Sequence, residues 1–289
     1  MSALLMLAGL LVASSAASDT TFTIPPGATV VVDNTEGDIE ITGQDGRRAR
    51  VLVDRRADRV RVERRGTRFH VVPDTYRDED EADLLITLPR DVAVEVHGGS
   101  GDINVNGFER DVTIFTLDGD VSVAGGAAIA VSSVDGDVSV RGASGPIAIN
   151  TGDGDVRLDR VSGAISVQGI DGDVTILQAS TSSLSVSTVD GDLRYEGIVQ
   201  AGGHYALATH DGSVTFVLPR GAGARVTVLT YDGSLLPSFP IELRGVLGST
   251  AEFTLGDGAA TVRLETFNGD IYLLRPGERR PEGSEGGPQ

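Results

Sequence analysis

The sequence predicts an all-β chain: a single-chain parallel β-solenoid of about 18–21 residues per coil, with an N-terminal β cap region. Three observations carry that expectation. The tripeptide Asp-Gly-Asp followed by an apolar residue recurs through the chain, as in Ser133-Val134-Asp135-Gly136-Asp137-Val138. Its glycines, Gly101, Gly119, Gly136, Gly154, Gly172, Gly191, Gly212 and Gly233, are 18, 17, 18, 18, 19, 21 and 21 residues apart. Between them, apolar and polar residues alternate with period two, and no window of useful length shows a helical period.

Residues 1–17 read as a secretory signal peptide. Leu4 to Val12 is a short apolar run, too short to cross a bilayer, and Ser15-Ala16-Ala17 offers a cleavage point before Ser18. No Arg or Lys precedes that run, which departs from the usual basic leader. No later stretch suits a transmembrane segment, so the mature chain is expected to be extracytoplasmic: periplasmic, at the cell surface or secreted.

Residues 18–97 form the expected cap region. A solenoid's first coil exposes an apolar end and open strand edges, which a distinct segment must cover. Thr23–Val32 and Gly37–Ile41 read as strands joined by turns here, with Glu36-Gly37-Asp38 standing apart from the later repeats. Residues 47–68 hold ten Arg against Asp54, Asp58 and Glu63, and an acidic run from Asp74 to Asp83 follows.

Residues 98–274 are the expected solenoid. Each unit runs from Asp-Gly-Asp into a short strand such as Val121–Val123, Val138–Val140 or Val156–Leu158. A glycine-containing turn and a second strand follow, such as Ile129–Val131, Ile147–Ile149 or Ile165–Val167. Two strands and two turns fill a coil of about 18 residues. An antiparallel sandwich competes, since its strands recur at similar spacing; regular repeat identity favours the solenoid. The segment Leu236-Pro237-Ser238-Phe239-Pro240-Ile241 carries two prolines and reads as a degenerate coil. Leu88-Pro89-Arg90 is echoed by Leu218-Pro219-Arg220, which suggests an internal duplication. Residues 275–289 lack apolar side chains and read as a disordered tail.

This pattern resembles the bacterial "putative adhesin" family of exported β-solenoid domains. The resemblance rests on a Leu-Pro-Arg strand followed by Gly-Asp-apolar repeats behind a leader, and it covers about residues 25–275. It implies a repetitive β fold and an envelope location, and it brings no catalytic residues.

Composition narrows the function. The net charge is −18, all 24 cationic residues are Arg, and Cys is absent. An acidic surface disfavours nucleic acid, and the lack of Cys excludes disulfides and thiolate metal sites. The repeated carboxylates invite a calcium reading, because calcium takes six to eight oxygen ligands. A plain turn explains them equally: Gly supplies a positive φ and Asp bonds nearby backbone amides. We therefore take Asp118-Gly119-Asp120, Asp135-Gly136-Asp137, Asp153-Gly154-Asp155, Asp171-Gly172-Asp173 and Asp190-Gly191-Asp192 as a structural turn ladder, with no cofactor and calcium as the alternative.

A carbohydrate-active β-helix enzyme is the rival function. It needs a unique pair of carboxylates, and repeated turn residues are poor candidates for a unique site. His97 and His210 both precede a glycine turn and read as equivalent strand-end residues. In Arg59-Val60-Arg61-Val62-Glu63-Arg64-Arg65 the alternation suggests Arg59, Arg61 and Arg64 on one face, able to bind anionic groups. The competing role is pairing with the acidic run, or guarding an exposed strand edge. Small residues Ser122, Ser139, Ser166 and Ser185 are expected on one flat outer surface. Together these readings give a non-enzymatic scaffold whose partner is an envelope glycan or protein.

Overall fold

The computed structural model describes residues 19–54, 59–74, 82–247 and 250–280. The expected leader and residues 281–289 lie outside the described residues, as does most of the acidic run. Among the described residues there is no helix, and 25 strands form one continuous sheet system.

The strands fall into two stacked sheets that face each other across a single core. Strands that lead into the glycine corner make the first sheet. Val112–Phe115, Ile129–Ser133, Ile147–Thr151 and Ile165–Gln168 pair there in parallel and in exact register, with Ile129 opposite Ile147 and Ile147 opposite Ile165. Strands that leave the corner make the second. Val121–Gly125, Val138–Arg141 and Val156–Asp159 pair there in the same way. Two long strands, Val174–Ser187 and Leu193–Asp211, bend and serve both sheets. This is the expected parallel solenoid, and it excludes the sandwich.

Alternation turns two apolar columns of each sheet inward. Val121, Val123, Val138, Val140, Ile147 and Ile149 are all at most 2% exposed. Exact register stacks apolar on apolar, so mostly β-branched side chains fill the narrow core from coil to coil. Where the repeat lengthens to 21 residues, the core widens and aromatic rings fill it. Tyr195 stacks on Phe216 at 5.1 Å between centroids and meets Tyr205 at 5.6 Å. The Tyr205 hydroxyl donates to the Thr181 carbonyl at 2.6 Å and accepts from the Gln200 N–H at 2.8 Å.

Each coil takes the name of the residue at its corner. Their spatial order departs from chain order at both ends. The coil around Ala82 stacks outside the Gly37 coil, and Gly37 lies directly against the Gly101 coil. Glu36-Gly37-Asp38 is therefore a regular rung, and a boundary at residue 97 has no counterpart in the sheets. At the far end, the Gly269 coil slots between the Gly212 and Gly233 coils, although it is last in sequence. The two Leu-Pro-Arg segments sit where the chain skips one coil. Leu88-Pro89-Arg90 follows the outermost coil, and the chain then passes the Gly37 coil to start the Gly101 coil. Leu218-Pro219-Arg220 passes the slot that the Gly269 coil occupies. The echo thus marks two equivalent crossings. Eleven coils stack among the described residues, about 48 Å at roughly 4.8 Å per step.

Antiparallel strands close the ends. Arg48–Asp54 and Asp19–Thr23 cover the second sheet, and Arg59–Arg65 covers the first. Thr250–Leu255 and Leu243–Leu247 do so at the other end. Among the described residues Leu235–Pro237 pairs on one side only, with Ile271–Leu274, so the proline there lies on an edge strand. The first residues of the expected disordered tail are ordered: the Arg275 guanidinium lies 3.8 Å from the Phe239 ring centre. Arg280 reaches Asp192 at 2.5 Å.

Burial raises the Tyr195 hydroxyl far above the usual tyrosine range, and Tyr205 adds to the shift. Burial raises Tyr205 as well, partly offset by the Gln200 N–H. Unfolded tyrosine ionises near pH ~10, so above that pH the folded chain holds protons that the unfolded chain releases. Stability is full below about pH 10 and is lost as pH rises beyond it. In an alkaline titration, two of the five tyrosines should ionise only together with loss of the far-ultraviolet circular dichroism. Ionisation of all five near pH ~10 with the sheet intact would contradict this core.

Candidate functional site

The corner between the two sheets repeats in nearly every coil, and four side-chain columns run along it. The first is the column of corner glycines. A Cβ placed on Gly101, Gly119, Gly136, Gly154, Gly172, Gly191 or Gly212 would lie under 3.0 Å from the carbonyl oxygen of the glycine one rung before. The backbones are packed glycine on glycine, and φ is positive, +118° at Gly154.

The Asp after each glycine forms the second column. Its carboxylate accepts the backbone N–H of the Asp one coil later: Asp137 to Asp120 at 2.9 Å, Asp155 to Asp137 at 2.8 Å, Asp173 to Asp155 at 2.8 Å and Asp192 to Asp173 at 2.7 Å. These N–H groups point along the solenoid axis at a corner, where no strand offers a carbonyl. The carboxylates supply the missing acceptor. Ser213 and Ser234 replace Asp where their own N–H still donates to Asp192 and Asp270.

A third column was missed in the sequence. Thr116, Ser133, Thr151, Thr188, Thr209 and Thr266 sit three residues before the corner glycine and are at most 7% exposed. The hydroxyls of Ser133 and Thr188 donate to the carbonyls of Asp135 and Asp190 at 2.8 and 3.1 Å. The full motif is thus Thr/Ser-x-Asp-Gly-Asp, and the recurring hydroxyl residue was its available signal.

The fourth column lies two residues before the glycine and points to solvent. Leu117, Val134, Ile170 and Val189 are 64%, 54%, 56% and 52% exposed. Backbone bonds join the rungs: Asp135 N–H to Leu117 O at 3.0 Å, Asp153 N–H to Val134 O at 2.9 Å and Val189 N–H to Ile170 O at 3.1 Å. The column continues through His210, Phe267 and Tyr231, whose rings stack at 4.8 Å and 4.8 Å with interplanar angles of 14° and 6°. A shallow groove of about 300 Å³ runs beside these rings. The Asn268 amide and then His210 hold the Asp211 carboxyl below the usual carboxylate range.

The first Asp of each motif, Asp118, Asp135, Asp153, Asp171 and Asp190, adjoins this apolar ridge and is exposed. Among the described residues, no three His, Asp or Glu side chains are grouped so as to hold a metal ion.

The other sequence-predicted residues do not converge. In the hairpin register Arg61 lies opposite Val72, whereas Arg64 lies opposite buried Phe69 on the other face. Arg64 bonds the Gly66 carbonyl at 3.0 Å and stands over the Phe69 ring. Arg59, Arg61 and Arg64 therefore do not share one face. Among the described residues their strand pairs on one side only, as an edge strand rich in Arg does. Ser122 and Ser139 lie in the second sheet, and Ser166 and Ser185 in the first, so they face opposite ways across the core. His97 and His210 are not equivalent. His97 is one rung beside Phe115 and contacts Asp33 at 2.9 Å, while His210 belongs to the ridge.

The model of the family described as Toastrack DUF4097 matches residues 21–274. No curated protein matches the chain. Among solved structures, a putative adhesin from Bacteroides fragilis is similar at 12% identity and a TM-score of 0.43, over 89% of this chain and 96% of that one. A putative adhesin from Parabacteroides distasonis gives 10% and 0.32, over 88% and 95%. A putative cell adhesion protein from Clostridium sporogenes gives 8% and 0.28, over 89% and 98%.

Asp155 separates the roles of carboxylate and charge. Asp155→Ala removes the acceptor of the Asp173 N–H and should cost about 1 kcal/mol in urea unfolding. Asp155→Asn keeps an acceptor oxygen and relieves repulsion between rungs, so it should be neutral or stabilising at low salt. Equal losses for both would assign the column to charge. Millimolar calcium should shift the melting temperature no more than sodium at matched ionic strength; a calcium-specific rise would give the ladder a metal role.

Proposed function

This chain belongs to the Toastrack DUF4097 family, and on that premise we propose that it is a non-enzymatic, adhesin-like interaction scaffold of the cell envelope. One observation carries the reading. Five coils, at Gly119, Gly136, Gly172, Gly191 and Gly233, present the same edge: an exposed apolar residue, an exposed carboxylate, then the corner, on rungs about 4.8 Å apart. Equivalent contacts in a line suit an extended partner, because each added rung engages at the effective concentration set by the last. The carboxylates after the corner glycine are each engaged by a backbone N–H, which suits a structural role better than that of a unique acid or base. The apolar run at residues 4–12 with Ser15-Ala16-Ala17 supports export. An envelope glycan or protein is the partner class.

Purified protein incubated with a panel of acidic and neutral polysaccharides should show binding or no binding, without release of oligosaccharides. Turnover abolished by a single Asp→Asn change would replace this reading with the carbohydrate-active enzyme. Cell fractionation should find the protein outside the cytoplasm with Ser18 at its N-terminus; a cytoplasmic protein that keeps residues 1–17 would overturn the export reading.

A further inference from the structure

Resting on the scaffold reading, we propose that the corner edge is a docking surface for a cationic amphipathic helix. Soluble proteins rarely leave contiguous apolar side chains exposed, and such patches mark interaction sites. Here Leu117, Val134, Ile170, Val189, Phe267 and Tyr231 make one line, with Tyr231 74% exposed. Gly152 leaves a notch in it because a Cβ there would meet the Val134 carbonyl.

Charge selects the partner. Beside the ridge, the five coils from Gly119 to Gly191 carry ten carboxylates, Asp118 to Asp192, within about 20 Å. Stacked like charges repel, and a partner that brings cations next to apolar groups relieves the repulsion while covering the ridge. The same charge repels anionic surfaces and polyanions.

Spacing selects the partner's form. A helix presents apolar residues on one face every ~5.4 Å, close to the ~4.8 Å of a rung. An extended strand lying along the axis repeats a face every ~6.7 Å and loses step sooner. From Leu117 to Tyr231 the ridge spans about seven steps, roughly 34 Å, the length of a helix of about 22 residues. Sugar stacking fits less well, since His210, Phe267 and Tyr231 turn ring faces toward one another rather than outward.

The test uses the full chain and a labelled synthetic peptide of about 22 residues, Leu on one helical face and Lys on the other. Two control peptides carry Glu in place of Lys, or the same Leu and Lys scrambled to abolish the apolar face. Binding is read by anisotropy and by the rise in peptide helicity. The amphipathic cationic peptide should bind, and affinity should fall at least about tenfold in the triple variant Val134→Ser/Ile170→Ser/Val189→Ser. A similar fall is expected in Asp135→Asn/Asp153→Asn/Asp171→Asn, which also flattens the salt dependence. Ile170→Arg alone should weaken binding, which keeps the test open if a triple variant melts early. Ser139→Ala, on the opposite sheet, should bind like the parent. No binding, equal binding of the scrambled peptide, or binding that ignores the ridge variants would overturn the inference. Polysaccharide binding without peptide binding would remove only this inference, whereas oligosaccharide release would remove the scaffold reading beneath it.

Discussion

The stacking of one corner glycine on the next constrains everything else in this molecule. Because the Gly136, Gly154 and Gly172 backbones touch, successive coils cannot slip relative to one another by even one residue. A one-residue slip would invert every inward and outward side chain of both sheets. The contact therefore fixes register, and register fixes the core columns. It also fixes the N–H to carboxylate ladder from Asp38 through Asp192, since each donor must stand over the acceptor before it. The ridge at Leu117 and Val134 is a further consequence: once threonine points inward to satisfy the corner carbonyl, the next residue must point out.

Close approach, rather than dihedral angle alone, enforces glycine at this corner. The opposite turn supplies the comparison. Gly142 has φ +70° with nothing within 4 Å of its Cβ position. On the following coils Arg160 and Gln178 hold φ of 52° at the matching place, joined by the bonds Gly142 N–H to Asp159 O and Arg160 N–H to Leu177 O. Non-glycine residues thus accept a left-handed backbone where space is open. Gly233 makes the converse point: no positive φ marks it, yet the Gly269 carbonyl still excludes a Cβ.

Much of this was legible in the sequence, for reasons that also explain what was not. Period-two alternation in Val138–Val140 or Ile147–Ile149 reports a half-buried strand directly, and equal spacing of glycines reports stacking. Coil order was not legible, because identical corners stack equally well on any neighbour. Nothing local in Gly269 says that it belongs between Gly212 and Gly233. The Leu-Pro-Arg echo was visible as a repeat, but its meaning as a skip over one coil needed the pairing of Leu218 with Leu274. The ridge went unread because its members differ: Leu, Val, Gly, Ile, Val, His, Phe and Tyr share a position rather than a residue type. Arg64 was misplaced because the charged run hides the strand's parity: Arg61 and Glu63 share one face, whereas Arg64 lies on the other with Val60 and Val62.

Register in this solenoid rests on the glycine contact, which paired substitutions at the two turns can isolate. Thermal and urea unfolding of Gly154→Ala and Gly142→Ala, both at positive φ, should give unequal losses. Gly142→Ala should cost about 1–2 kcal/mol, the strain of a left-handed alanine. Gly154→Ala, at φ +118° and beyond the left-handed well, carries at least that strain and must also push two coils apart, so it should cost at least about 3 kcal/mol and disturb the packed sheets on both sides. Equal losses at the two positions would mean that dihedral strain alone sets the glycine, and that register in this solenoid is held by something other than the stacked corner.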